Sequence, residues 1–302
     1  MSEMNKNYTL IRDIVQAHIR DINGAVESKG WLAEIVMDSL DFHPNRAQIS
    51  LGKRLAIVFR KVAQLTYPTP RVVAGLGVTK DELSDIAEPE WEVTSDTQIY
   101  TRLERKSLVE LAGGWFENFR ARRKRNRNLK IDSVFLDTVV EDARRNVPLQ
   151  DEMYTFNVDL CLENDNVYKM MELKSTADED NTGAETTVTH RIMIPRILIP
   201  NSQTFLGIIS NNKGYKRNGE WKGQIGSWVP KDRVLIEQNL WNAIAPAGVS
   251  FDDFKQIVKQ RFLEVRENED KRVICGSSDQ NKRTIRRANG RRPRRRLQAF
   301  YK

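Results

Sequence analysis

A chain of 302 residues, 39% hydrophobic and 30% charged, has material for one large domain or two modest ones with a real core, and is expected to be water-soluble. No run approaches the ~18 apolar residues of a membrane span, the first residues lack the apolar stretch of a secretory leader, and Cys161 and Cys275 are too few for a disulfide framework, so a cytoplasmic, reduced protein with no membrane association is expected. The net charge is +8, yet residues 281–302 alone hold ten Lys and Arg and no acid, which leaves the preceding residues slightly acidic.

The first hundred residues read mainly as helix. Ile11, Ile14, Val15, His18, Ile19 and Ile22 recur at helical spacing, as do Trp31, Leu32, Ile35, Val36 and Leu40, and then Leu51, Leu55, Val58, Phe59 and Val62. Pro68 and Pro70 stop the third run. Thr79-Lys-Asp-Glu82 has the form of a capping box and opens a short helix. Residues 87–100, which include Pro89, read as irregular. A second section begins near residue 101 with a helix from Leu103 to Arg125, striped by Leu108, Leu111, Ala112, Trp115 and Phe119. Gly113-Gly114 within it reads as close packing or a bend. The helix runs into a basic block containing Arg120, Arg122, Arg123, Lys124, Arg125, Arg127 and Lys130 and no acid. Phe135 to Arg145 adds a short amphipathic turn or two.

The most informative segment follows. Glu152 to Leu162 and Val167 to Lys174 are β-prone runs around a turn-forming cluster, Glu163-Asn-Asp-Asn166, which predicts a hairpin. With Asp165-Asn166 as the tight turn, Asp159 lies opposite Glu172, Val158 opposite Leu173 and Leu160 opposite Met171. Side chains alternate along a strand, so Val158, Leu160, Leu162, Met171 and Leu173 form one apolar face, and Asp159, Glu172 and Lys174 share the other. A slip of one residue would mix the faces. Opposed carboxylates at ~4–5 Å repel by roughly 3–4 kcal/mol at a surface-like dielectric, and a divalent cation between them removes that cost. Mg²⁺ favours one or two carboxylates plus water and phosphate oxygens. Lys174 stands on the same face, within reach of a water or a phosphate. These are the parts needed to hydrolyse a phosphodiester; the plain alternative is a half-exposed hairpin with charges facing water. Cys161 is near the pair but has no evident base and reads as a packing residue.

Beyond an acidic loop at Asp178-Glu-Asp180, Thr182-Gly-Ala-Glu185 opens a helix reaching about Pro195, and Gln203 to Ser210 reads as a buried strand. A loop rich in Gly, Trp and basic residues runs from Gly214 to Trp228; its Lys216, Arg217 and Lys222 are suited to contacting a nucleic-acid groove. Helices are expected from Asp232 to Ile244 and from Phe251 to Arg266, and residues from about 275 read as a disordered basic arm. Its Arg291, Arg292, Arg294, Arg295 and Arg296, with Arg120, Arg122, Arg123, Lys124 and Arg125 of the first block, predict polyanion binding, since each neutralised phosphate releases counterions. His18, His43 and His190 have no Cys or His partner at metal-ligand spacing, so a zinc site is not indicated. There is no phosphate-binding loop of the Gly-x-x-x-x-Gly-Lys-Ser/Thr kind, so no nucleotide cofactor is expected.

Asp159 followed by Glu172-Leu-Lys174 resembles the PD-(D/E)xK nuclease motif, with Val158 where that family commonly has proline. The layout of residues 100–265, including Asn211-Asn-Lys-Gly-Tyr215, Leu240-Trp-Asn-Ala-Ile-Ala and Phe251-Asp-Asp-Phe, is similar to TdeIII-type type II restriction endonucleases. The resemblance implies an α/β (α+β) fold: a helix-flanked mixed sheet of the α-β-β-β-α-β kind at residues 101–270, after a helical N-terminal region at 1–100 and before the basic tail at 271–302. It further implies a homodimer that cuts double-stranded DNA at a short GGNCC-like palindrome with Mg²⁺. Asp159 and Glu172 would hold the metal, Lys174 would act on the attacking water, and Glu110 would be a supporting acid. The competing expectations are a non-enzymatic nucleic-acid-binding protein and a nuclease of the same core without sequence specificity.

Overall fold

The structure, a computed structural model, describes residues 3–19, 48–67, 70, 72–86, 97–126, 128–174, 181–210, 228–265 and 267–268. Helix α1 (Glu3–His18) buries Ile11 and Val15, and α2 (Gln48–Ala63) buries Leu55, Val58, Phe59 and Val62. These positions, three and four apart, form one apolar stripe on each helix. The helix expected around residues 31–40 lies outside the described residues. Helix α3 (Lys80–Ile86) opens on the expected capping box: the Thr79 backbone N–H donates to Glu82 Oε2 at 2.9 Å and the Glu82 N–H donates to Thr79 Oγ1 at 3.2 Å.

Two strands depart from the helical and irregular reading of this region. β1 (Val72–Ala74) runs parallel to β2 (Thr97–Leu103), which pairs antiparallel with β3 (Leu149–Val158). Thr97, Ile99, Tyr100, Thr101 and Leu103 are all buried. Burial on both faces removes the polar alternation that would have announced a strand. The boundary expected at residue 100 therefore falls inside β2.

Helix α4 (Arg105–Arg125) buries Leu108, Ala112, Phe116 and Phe119. Among the described residues, an added Cβ at Gly113 or Gly114 would meet nothing within 4 Å, so neither glycine serves close packing there. Helix α5 (Ser133–Asn146) is capped by Asp132, whose carboxylate accepts from the Phe135 N–H at 2.7 Å. The hairpin strands β4 (Leu160–Asn164) and β5 (Val167–Lys174) follow β3 after one residue, Asp159. Next come α6 (Asn181–Thr186), π-helical turns over Thr187–Met193, and α7 (Ile194–Leu198). The helix expected to stop at Pro195 thus runs on to Leu198. Proline has no N–H for the carbonyl four residues back and its ring crowds that carbonyl; the wider π turns just before Pro195 accommodate it.

Strand β6 (Ser202–Ile208), a 3-10 turn (Lys231–Arg233), β7 (Val234–Ile236), α8 (Gln238–Ile244) and α9 (residues 251–265) complete the described fold. The single helix expected from Asp232 to Ile244 is therefore a turn, a strand and a helix. The strand order is β1-β2-β3 in one sheet and β4-β5-β6-β7 in the other, with β5, β6 and β7 parallel and β4 antiparallel to β5. One face of the second sheet packs Leu160, Leu162, Met171 and Leu173 against α1, α2, α8 and α9. The opposite face lies under α4, α5, the π turns and α7. The fold is mixed α/β, and α1 and α2 share their core with the hairpin.

Candidate functional site

The hairpin has the expected register: Leu160 faces Met171, Cys161 faces Met170 and Asn164 faces Val167. Asp165 and Asn166 have φ of 50° and 63°, the left-handed pair that a two-residue hairpin turn needs and that these two residue types tolerate. The ladder ends at Leu160, so the expected pairs Asp159–Glu172 and Val158–Leu173 are not formed; Val158 pairs with Thr97 of β2 instead. Asp159 is a bend where the chain passes from the first sheet to the second, and its Oδ2 accepts the Leu173 N–H at 2.8 Å. The bend turns Val158 into the cluster that contains Cys161 and Met170, not into the one holding Leu160. The expected face of Val158 is corrected accordingly.

Glu172 lies beside Leu206 of β6, with its side chain under the π turns and 8% exposed. The charged face does not open to water as a plain hairpin would; Cys161 and Met170 on the same face are buried as well. Burial pushes the Glu172 carboxyl up to about 7, and repulsion from Asp159 adds to it. Two cations oppose the rise. Lys174 Nζ is 3.0 Å from Glu172 Oε1, and Arg191 Nε is 3.7 Å from Oε2. The Arg191 guanidinium is also fixed by donating to the Asn157 carbonyl at 2.6 Å. Oε2 is buried and, among the described residues, accepts no hydrogen bond. Burial pushes the Cys161 thiol up to about 12, so it is a packing group.

This donor set fits a hard divalent cation. Two carboxylates converge, one oxygen of Glu172 is buried without a donor, and one oxygen of Asp159 is engaged by a backbone N–H while the carboxylate retains further acceptor capacity. Among the described residues no group of three or more His, Cys, Asp or Glu gathers to hold a metal, so the pair would be completed by water and substrate oxygens. Glu110 is not brought to it: its carboxylate is 67% exposed and pairs with Lys106 at 3.9 Å one turn away on α4.

Arg120, Arg122, Arg123, Lys124 and Arg125 of the first basic block occupy the last turns of α4, where cations also complement the helix dipole; Arg127 lies outside the described residues. Arg120 pairs with Glu117 at 2.9 Å, and the Arg123 guanidinium lies 4.7 Å from the centre of the Trp228 ring, so part of the block has a packing role. Arg105, at the opposite end of α4, lines the same cleft as Arg191, which contacts Glu172. At 1.5 Å per residue the block begins roughly 22 Å further along the helix axis. Lys216, Arg217, Lys222, Arg291, Arg292, Arg294, Arg295 and Arg296 lie outside the described residues.

Arg191 was not anticipated from the sequence. The signal available was a basic pair, His190-Arg191, directly before the apolar run Ile192-Met-Ile-Pro195, where burying a cation is costly unless it meets an acid. Among the described residues no helix is long and apolar enough to cross a membrane. Compared with protein-family models, curated proteins and solved structures, the chain matches none.

Proposed function

We propose that the chain is a Mg²⁺-dependent endonuclease acting on double-stranded DNA, and that it cuts at a short specific sequence as a homodimer in the manner of a type II restriction enzyme. The observation that carries this reading is the convergence of Asp159, Glu172 and Lys174 where β3 bends into the hairpin, with a Glu172 oxygen buried and without a hydrogen-bond donor. Asp159 and Glu172 would hold Mg²⁺, which when bound lowers the pKa of water and offsets charge on the phosphate. Lys174, 3.0 Å from Glu172, is positioned to orient or deprotonate the attacking water. Arg191 steadies the Glu172 carboxylate and acts as a positioning residue. The basic end of α4 supplies sequence-blind phosphate contacts, and a separation of roughly 22 Å corresponds to about six base pairs of duplex.

Plasmid cleavage tests the reading. Asp159→Ala and Glu172→Ala should abolish cutting, and Lys174→Ala should lower it by roughly 10²–10⁴-fold, each with folding and DNA binding retained. Mg²⁺ or Mn²⁺ should support cutting, and Ca²⁺ binding without turnover. Undiminished cutting by folded Asp159→Ala, or in excess EDTA, overturns the mechanism. Binding without cutting under every metal points to a non-enzymatic DNA-binding protein, and a smear in place of discrete fragments to a nuclease without sequence specificity.

A further inference from the structure

A cleft of about 280 Å³ opens beside the carboxylate pair, and Arg105, Phe156, Asn157, Thr186, His190 and Arg191 are among its walls. Among the described residues that line it, none carries a carboxylate. Arg105, from the first turn of α4, holds its guanidinium 5.8 Å from the centre of the Phe156 ring. Arg191 spans the cleft and the site: it reaches Glu172 on one side and donates to the Asn157 carbonyl. His190 stands beside both arginines on the π turns. Burial and then the positive charges of Arg191 and Arg105 hold its imidazole below the ordinary value, with Glu185 opposing. Arg105 and Arg191 share this wall; Glu172 meets Arg191 only at 3.7 Å, and a bound anion would relieve the repulsion that remains between the two guanidinium groups.

We infer that this cleft is a subsite for a phosphoryl oxyanion, bound by the guanidinium groups of Arg105 and Arg191 and the imidazole of His190. Guanidinium forks match the oxygens of a phosphate in pairs, and Thr186 adds a hydroxyl donor. The carrier of the phosphoryl group rests on the nuclease reading above: it would be the strand being cut, held one guanidinium away from the reacting phosphate. The charge of the ligand does not rest on that reading.

The test is the histidine side-chain NMR spectrum of the full chain in EDTA, where no cutting occurs, with the His190 signals assigned from His190→Gln. The probes are inorganic phosphate, a short duplex with unphosphorylated ends, and the same duplex with 5′-phosphates. The His190 ring signals should move with each probe, and its pKa should rise. Arg105→Gln, at an exposed position, should weaken binding by about ten-fold, the loss of one charge-assisted hydrogen bond. Tighter binding of the phosphorylated duplex assigns the subsite to a strand end; equal binding assigns it to an internal diester. His190 signals that stay still at saturating duplex, or move undiminished in Arg105→Gln, overturn the subsite. Cutting with Mg²⁺ but no His190 response removes the subsite and leaves the nuclease reading standing; a His190 response without cutting does the reverse.

Discussion

The two faces of the β4–β7 sheet are built on opposite terms. On one, Trp241 stacks on Phe254 with ring centroids 4.5 Å apart, Phe59 meets both edge-on at 5.8 and 5.4 Å, and the indole N–H donates to the Val249 carbonyl at 2.9 Å. Its buried groups are apolar or satisfied. On the other, the same strands bury a carboxylate with an unsatisfied oxygen beneath π-helical turns, next to a cleft walled by cations. Both faces bury apolar clusters, but the second also retains a group that opposes folding. Departures from local packing rules of this kind mark where function is to be sought.

Substitutions that exchange these characters put the contrast to the test. The largest effect is expected at Trp241→Ala, which removes a side chain 1% exposed and should destabilise the protein by about 3–5 kcal/mol in denaturant unfolding. A loss under 1 kcal/mol would show that this face is not the anchor. Glu172→Gln should act in the opposite sense. With a folded pKa near 7, above the ordinary carboxyl value of 4.5, the folded chain keeps a proton that the unfolded chain has released. Stability of the metal-free protein should therefore fall as pH rises between about 4.5 and 7, by up to about 3 kcal/mol. Glu172→Gln should remove that slope and be the more stable protein at pH 8. An unchanged slope would mean that the carboxyl titrates normally.

Smaller effects sharpen the same contrast. At Gly207 an added Cβ would come within 2.8 Å of Leu173 Cδ2 and 3.0 Å of Leu240 Cδ1, so Gly207→Ala should lower stability by about 1–3 kcal/mol through overpacking of the dry face. Gly113→Ala and Gly114→Ala, in the open on α4, should each raise it by about 1 kcal/mol. A loss at either glycine would reveal a close neighbour there.

Local signals were legible in the sequence. The hairpin register, the Thr79–Glu82 cap and the long helix α4 each depend on residues a few positions apart. Asp159, Glu172 and Lys174 could be set on one side of a hairpin for that reason. What escaped was non-local. β2 is covered on both faces and paired with a strand some fifty residues later, so its composition showed no alternation. Val234-Leu-Ile236 was absorbed into the neighbouring helix pattern because three apolar residues fit either period. The burial of Glu172 and its contact with Arg191 depend on helices laid across the sheet, and on π turns whose register no simple 3.6-residue count would give.

The bend at Asp159 ties the chemistry of the pair to the integrity of the hairpin. Its Oδ2 stands in for a strand carbonyl and protects the Leu173 amide from water. A change that draws this carboxylate toward another partner strips that protection from a single backbone proton near the C-terminal end of β5. Hydrogen–deuterium exchange at Leu173 is thus an intrinsic gauge of the site: slow while Asp159 faces the strand, and faster in proportion to the time it spends turned away.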